Sequence, residues 1–198
     1  MDTTLARALA IAGAHCDLEE RAGLAPPSAR VRGVWMRAIE MALEPAGLLR
    51  RYLEVVEEHA SVVRWYPVSE YLARLVIGGA LIASPQEIDR GLFEIGRANP
   101  RAFADSLLGR ALIRVLSPDP RTLLRQGVAA TRQTSTYSHW EVSFADEHHA
   151  EVRFRGEYTF IDTHLLGACT GMFEAIGVDA RIEVALEDRF NGVFRIRW

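Results

Sequence analysis

His139-Trp140-Glu141-Val142-Ser143-Phe144 and, after the stretch Ala145 to His149, Ala150-Glu151-Val152-Arg153-Phe154-Arg155 decide the fold of this chain. Apolar and polar residues alternate in both, the period of a half-buried β-strand. For Trp140, Val142 and Phe144 to share a face with Ala150, Val152 and Phe154, the two must pair antiparallel in a restricted set of registers. Setting Val142 opposite Val152 puts Glu141 against Arg153. The neighbouring register that also aligns the faces puts Glu141 against Glu151, a like-charge pair. The first register is the predicted one.

Working outward, the same alternation returns near the C-terminal end. Ile182, Val184 and Leu186 share one face, as do Phe194, Ile196 and Trp198, and Asn191-Gly192 marks the turn. Pairing Val184 with Ile196 sets Glu183 against Arg197. Between the hairpins, Ile161, Leu165, Leu166, Cys169, Phe173 and Ile176 form a helical apolar stripe, with Asp162 or Thr163 as its cap and Gly177 as its end. A lone hairpin is marginal, so the four strands are expected in one antiparallel sheet with this helix packed on it, a ββαββ unit.

Everything before residue 139 has helical period. Ala6 to Cys16 and Asp17 to Ala22 are short candidates, broken by Gly23, Pro26 and Pro27. Arg32 to Leu43, a segment opened by Pro45, and Tyr71 to Leu81 follow, the last after the helix-opening turn Tyr66-Pro67-Val68. Ser84-Pro85-Gln86-Glu87 and Asp119-Pro120 carry N-cap and first-turn proline signals. Asn99-Pro100 is expected to interrupt one helix, with Phe103, Leu107 and Val115 on the next. The fold class is therefore α+β, a helical N-terminal layer packed on a four-stranded antiparallel sheet. It is expected as a single domain over 1–198: an N-terminal extension over 1–30, a helical part over 31–132 and the ββαββ part over 139–198.

Composition closes off several chemistries. The chain has 198 residues, 49% of them hydrophobic, and a net charge of −3, so no global basic field draws it to nucleic acid. No run is long and apolar enough for a membrane span, and Met1-Asp2-Thr3-Thr4 lacks a secretory n-region, which points to the cytoplasm. All 23 basic residues are Arg. Schiff-base lysine, Walker A lysine and Ser-Lys chemistry are thereby excluded. Cys16 and Cys169 form no metal or redox spacing, and no nucleophile elbow or phosphate loop is present. His139, Glu141, His149 and Glu151 would share the solvent face of the first hairpin and could ligate zinc or iron, although no pair sits at a recognised ligand spacing and a solvated polar face explains them more simply. His164 is expected as a hydrogen-bonded structural residue, Gly167 and Gly171 as a close-packing pair against the sheet, and Glu57-Glu58-His59 as a solvated helical continuation.

Several pieces resemble an uncharacterised paralogous family of myxobacterial proteins: Val31-Arg32-Gly33-Val34-Trp35, Tyr66-Pro67-Val68, Gly96-Arg97 with Phe103 and Gly109-Arg110, and Gly171-Met172-Phe173 with Phe194-Arg195-Ile196-Arg197-Trp198. The hairpin–helix–hairpin is also similar to the wider superfamily of haem–nitric-oxide-binding domains, 4-vinyl-reductase-type domains and TRAPP vesicle-tethering subunits. That resemblance implies a cavity for haem, an acyl chain or another apolar ligand between helices and sheet, and a possible homodimer. The departures are specific. Ser117 to Gln126 holds no proximal histidine, Tyr158-Thr159-Phe160-Ile161-Asp162 stands where a Tyr-x-Ser-x-Arg clamp belongs, and no cysteine follows Ala180. Haem held by the usual scheme is not expected. The leading expectation is a non-enzymatic ligand-binding or sensory module, its pocket lined by Tyr71, Phe103, Leu107 and Leu165. The alternatives are a protein-interaction scaffold and a metal-dependent enzyme using the His139 face.

Overall fold

The computed structural model describes residues 3–105 and 119–198, with the backbone alone over 101–105. The predicted Leu107 and Val115 lie outside the described residues. Eight α-helices and two antiparallel sheets are seen among those described: α1 (Thr3–Ala12), α2 (Leu18–Leu24), β1 (Arg30–Arg32), α3 (Gly33–Leu43), α4 (Leu49–Val56), β2 (Trp65–Pro67), α5 (Val68–Ile82), α6 (Ile88–Asp105), α7 (Pro120–Thr134), β3 (His139–Phe144), β4 (His149–Arg155), α8 (Leu166–Ala175), β5 (Arg181–Leu186) and β6 (Gly192–Arg197). A 3₁₀ turn, Pro85–Glu87, leads into α6, and a π-turn, Ile161–Leu165, leads into α8.

The four-stranded sheet runs β3-β4-β6-β5, all neighbours antiparallel. In the first hairpin Val142 lies opposite Val152 and Glu141 opposite Arg153, as the charge argument requires. The second hairpin is two residues out of the expected register: Val184 faces Phe194, and Glu183 faces Arg195. Two local facts explain the shift. The Asp188 carboxylate accepts from the Phe190 N–H at 2.7 Å and from the Asn191 side-chain amide at 2.7 Å, so the turn closes around 188–190 and not at Asn191-Gly192. Arg195 then stands between Glu183 and Glu151 on its two neighbouring strands, and bonds Glu151 at 3.2 Å. Leu186, expected inside, is exposed at the strand end.

The helix between the hairpins packs its buried residues Ile161, Leu165, Cys169 and Phe173 against Val152, Phe154, Phe194 and Ile196. Its start is not capped by Asp162 or Thr163. Phe160 holds the cap position without a side-chain bond, and the π-turn takes up the end. On its other side α8 meets α6, not the sheet, through glycine. A Cβ on Gly167 would lie 2.1 Å from the Phe93 carbonyl oxygen, one on Gly171 2.1 Å from that of Arg97, and one on Gly96 1.9 Å from that of His164. So the GxxxG pair does permit close backbone approach, but to a helix. Behind α6, helices α1, α3 and α5 close a second core around Leu43, Tyr52, Leu72, Leu75 and Ile95, which Ala8, Ala12 and Leu18 of the first 30 residues join.

Three further expectations are corrected. α6 runs through Asn99-Pro100 to Asp105, because a proline removes one helical bond without forcing a break when neighbouring helices hold the flanking turns. α4 begins at Leu49, since Gly47 with φ +69° turns the chain after Pro45. Tyr66 and Pro67 are not only a turn: they belong to β2, which pairs with β1. The capping signals did act as read. Ser84 Oγ accepts from the Glu87 N–H at 3.2 Å, and Asp119 accepts from the Thr122 N–H at 2.9 Å. No helix among the described residues is long and apolar enough to cross a membrane.

Candidate functional site

A cleft of about 1150 Å³ separates the helical core from the sheet. Trp35 and Met41 of α3 and Ala98, Asn99 and Pro100 of α6 form one side. Trp140, Val152, Phe154 and Phe194 of the sheet and Leu165, Ala168, Cys169 and Met172 from the π-turn and α8 form the other. Leu123, Leu124 and Val128 come from α7, which packs on β3. The volume is somewhat above the usual range for small-ligand sites, and the lining is mostly apolar. Its charged residues, Glu44, Glu94, Arg97 and Glu174, are exposed or half-exposed at the rim. Arg97 is held there by Glu174 at 2.8 Å and Glu94 at 3.8 Å.

Of the residues predicted to line a pocket, Leu165 does so. Tyr71 is buried instead in the helical core, edge-on to His164 with ring centroids 6.2 Å apart. Phe103 falls on α6, where only backbone is described, and Leu107 lies outside the described residues. Trp35 and Trp140 also line the cleft and are half-buried, which neither helical spacing nor strand alternation singles out. Their half-buried state is set by the separation of the two cores, which no local pattern encodes.

His139, Glu141, His149 and Glu151 do not converge. His139 pairs with Arg155 at one end of the hairpin, and His149 begins β4 at the other end. His149 Nδ1 lies 2.8 Å from Asp146, and Glu151 is engaged by Arg195. Among the described residues no three His, Cys, Asp or Glu groups meet at metal-binding range. Glu57-Glu58-His59 does not continue a helix: α4 ends at Val56, and Glu57 takes φ 69°. His59 Nδ1 then lies 2.7 Å from the buried Glu40 carboxylate, which also accepts from the Ala60 N–H at 2.8 Å. That arrangement pins the 57–60 loop to α3.

His164 is buried and its Nε2 lies 2.9 Å from the Asn99 side-chain amide, as a structural histidine should be. Burial lowers its pKa to about 4, so the imidazole stays neutral near pH 7. Burial likewise pushes the Cys169 thiol up to about 12, which keeps it protonated. The segment 158–162 is occupied from behind by Arg21. Its guanidinium donates to the carbonyls of Tyr158, Thr159 and Arg189 at 3.3, 3.2 and 2.9 Å, and stacks over Phe160 at 4.7 Å. Next to it the buried Glu157 accepts from Ser138, Trp140 Nε1 and Thr159.

This arrangement, a helical layer, an interposed helix and a four-stranded antiparallel sheet with a cleft between, is similar to that of H-NOX domains. A variant of the Tt H-NOX domain aligns with TM-score 0.67 at 12% identity, covering 84% of this chain and 94% of that one. A mutant H-NOX protein from K. algicida in the unliganded Fe(II) state aligns with TM-score 0.61 at 17% identity, covering 84% and 95%. An oxygen-binding H-NOX domain related to soluble guanylate cyclases aligns with TM-score 0.63 at 13% identity, covering 83% and 91%. The chain itself belongs to a family of proteins of unknown function, DUF2378, whose profile matches residues 25–198. No curated protein matches the sequence.

The fold likeness raises haem, and the lining does not fit it as an imidazole-held group. No histidine is among the described residues that line the cleft. His164 is turned to Asn99, the Cys169 thiol is held protonated, and the rim arginine is already paired with carboxylates.

Proposed function

We propose that this chain is a non-enzymatic, cytoplasmic sensory module that binds an apolar small molecule in the cleft between α3, α6, α7, α8 and the sheet. The cleft is the observation that carries the reading. An apolar hollow of about 1150 Å³ costs contact energy unless something fills it. The likeness to H-NOX domains, one of them described as oxygen-binding, supports a fold that can hold a ligand between its two halves. The cleft also lies where α6 and α8 cross, so a ligand there touches both cores at once.

Native mass spectrometry of the purified protein, followed by solvent extraction, tests the proposal. The expected result is a stoichiometric apolar adduct, or, after extraction, saturable uptake of Nile red with a change in Trp35 and Trp140 emission. A protein that carries no adduct and takes up no Nile red would sink it.

A further inference from the structure

Seven polar residues line the cleft among those described, and Asn99 is the one whose side chain is buried, at 1% exposure. Its Oδ1 has no hydrogen-bond partner among the described residues. The amide nitrogen, 2.9 Å from His164 Nε2, is committed to that ring. With the imidazole proton on Nδ1, Nε2 accepts from the amide nitrogen, and Asn99 Oδ1 and the His164 Nδ1 N–H are both left without a partner among the described residues. Oδ1 calls for a donor.

A buried, unpartnered carbonyl is costly, and a donor supplied from the cleft removes that cost. A plain hydrocarbon would leave Oδ1 unpaired. An anionic head group would meet an acceptor with no buried cation among the described lining residues, since Arg97 is exposed at the rim and bound by Glu174. We propose that the ligand has an apolar body and a single uncharged hydroxyl, and that Asn99, oriented by His164, accepts the hydrogen bond from that hydroxyl at the cleft wall. This deepens the ligand-binding reading and rests on it.

Displacement of Nile red by dodecanol and by dodecyl methyl ether, on wild type and Asn99→Leu, tests it. The two competitors share an apolar body, and only the alcohol can donate. The expected result is that dodecanol competes about tenfold better than the ether on wild type. Asn99→Leu should abolish the preference while keeping the ether's affinity. Equal competition on wild type, or a preference that survives Asn99→Leu, overturns the hydroxyl assignment and leaves the cleft standing. If Nile red does not bind wild type at all, the ligand-binding reading fails and this inference with it. Should Asn99→Leu not fold, the His164 ring nitrogen resonances of wild type decide: dodecanol must shift them and the ether must not.

Discussion

Arg21 shows how much one side chain can hold. It belongs to α2, yet its guanidinium closes carbonyls of Tyr158, Thr159 and Arg189, more than 130 residues away, and pairs with Asp17 at 2.6 Å. Its side chain is 7% exposed, so its loss strands buried acceptors rather than a solvated ion pair. Arg21→Met is expected to cost about 3 kcal/mol, read as a lowered urea midpoint, with little loss of helical circular dichroism. A change under about 0.5 kcal/mol would mean those carbonyls find other donors. His164 makes a pH-dependent contribution of opposite origin. Its pKa is about 4 when folded and near 6.5 when unfolded. Between those values the unfolded chain binds a proton that the native one refuses, so stability falls as pH drops through the window. The loss by pH 4 is about 3 kcal/mol, and His164→Gln should remove that one-proton slope from urea unfolding measured across the window. Parallel profiles for variant and wild type would show that the ring is not held neutral.

At the scale of elements, the α6–α8 crossing is built from missing side chains, and that makes a sign prediction. Gly-to-Ala in a helix interior ordinarily stabilises by up to about 1 kcal/mol. Gly127 of α7 has only the Met172 side chain within reach of an added Cβ, at 3.7 Å, so Gly127→Ala should follow that rule. A Cβ on Gly167 would lie 2.1 Å from a backbone oxygen of α6, which must move. Gly167→Ala is therefore expected to destabilise by roughly 2 kcal/mol despite its better propensity. Thermal melts of the two variants check the pair, and both shifting in the same direction would refute the close approach. The same crossing marks where sequence reasoning reaches its limit. The period-2 strands, the first hairpin's register and the Ser84 and Asp119 caps were legible, because each depends on neighbours in sequence or on one cross-strand charge pair. The second hairpin was misregistered, because the Asp188 turn and the flanking Glu151 outweigh a single two-strand charge argument. The GxxxG pair was legible as a close contact but not in its target. Pro100 was read as a break, whereas packing against α8 and α3 carries α6 past it.

For the whole molecule, the cleft follows from two cores that meet only partly. Leu43, Tyr52 and Leu72 belong to one, Phe154, Phe173 and Phe194 to the other, and α6 with α8 bridges them while Trp35 and Trp140 face the gap. Such a site was not legible residue by residue, since its lining comes from α3, α6, α7, α8 and three strands; Leu165 lies in that lining on a helical stripe that was legible. A ligand that binds only the assembled cleft stabilises the fold by mass action, by about 2.7 kcal/mol at a hundredfold excess over its Kd. Dodecanol should therefore raise the urea midpoint of the wild type in a concentration-dependent way. Ala98 is half-buried on α6 and faces the cleft, so Ala98→Leu adds apolar bulk there without entering either core. That variant should match or slightly exceed wild type in stability without ligand, because it buries new apolar area at about 25 cal/mol per Å². It should also lose most of the dodecanol-induced shift. A variant that keeps the full shift would place the ligand elsewhere on the molecule, and one that is strongly destabilised would show the gap at Ala98 to be narrower than its lining implies.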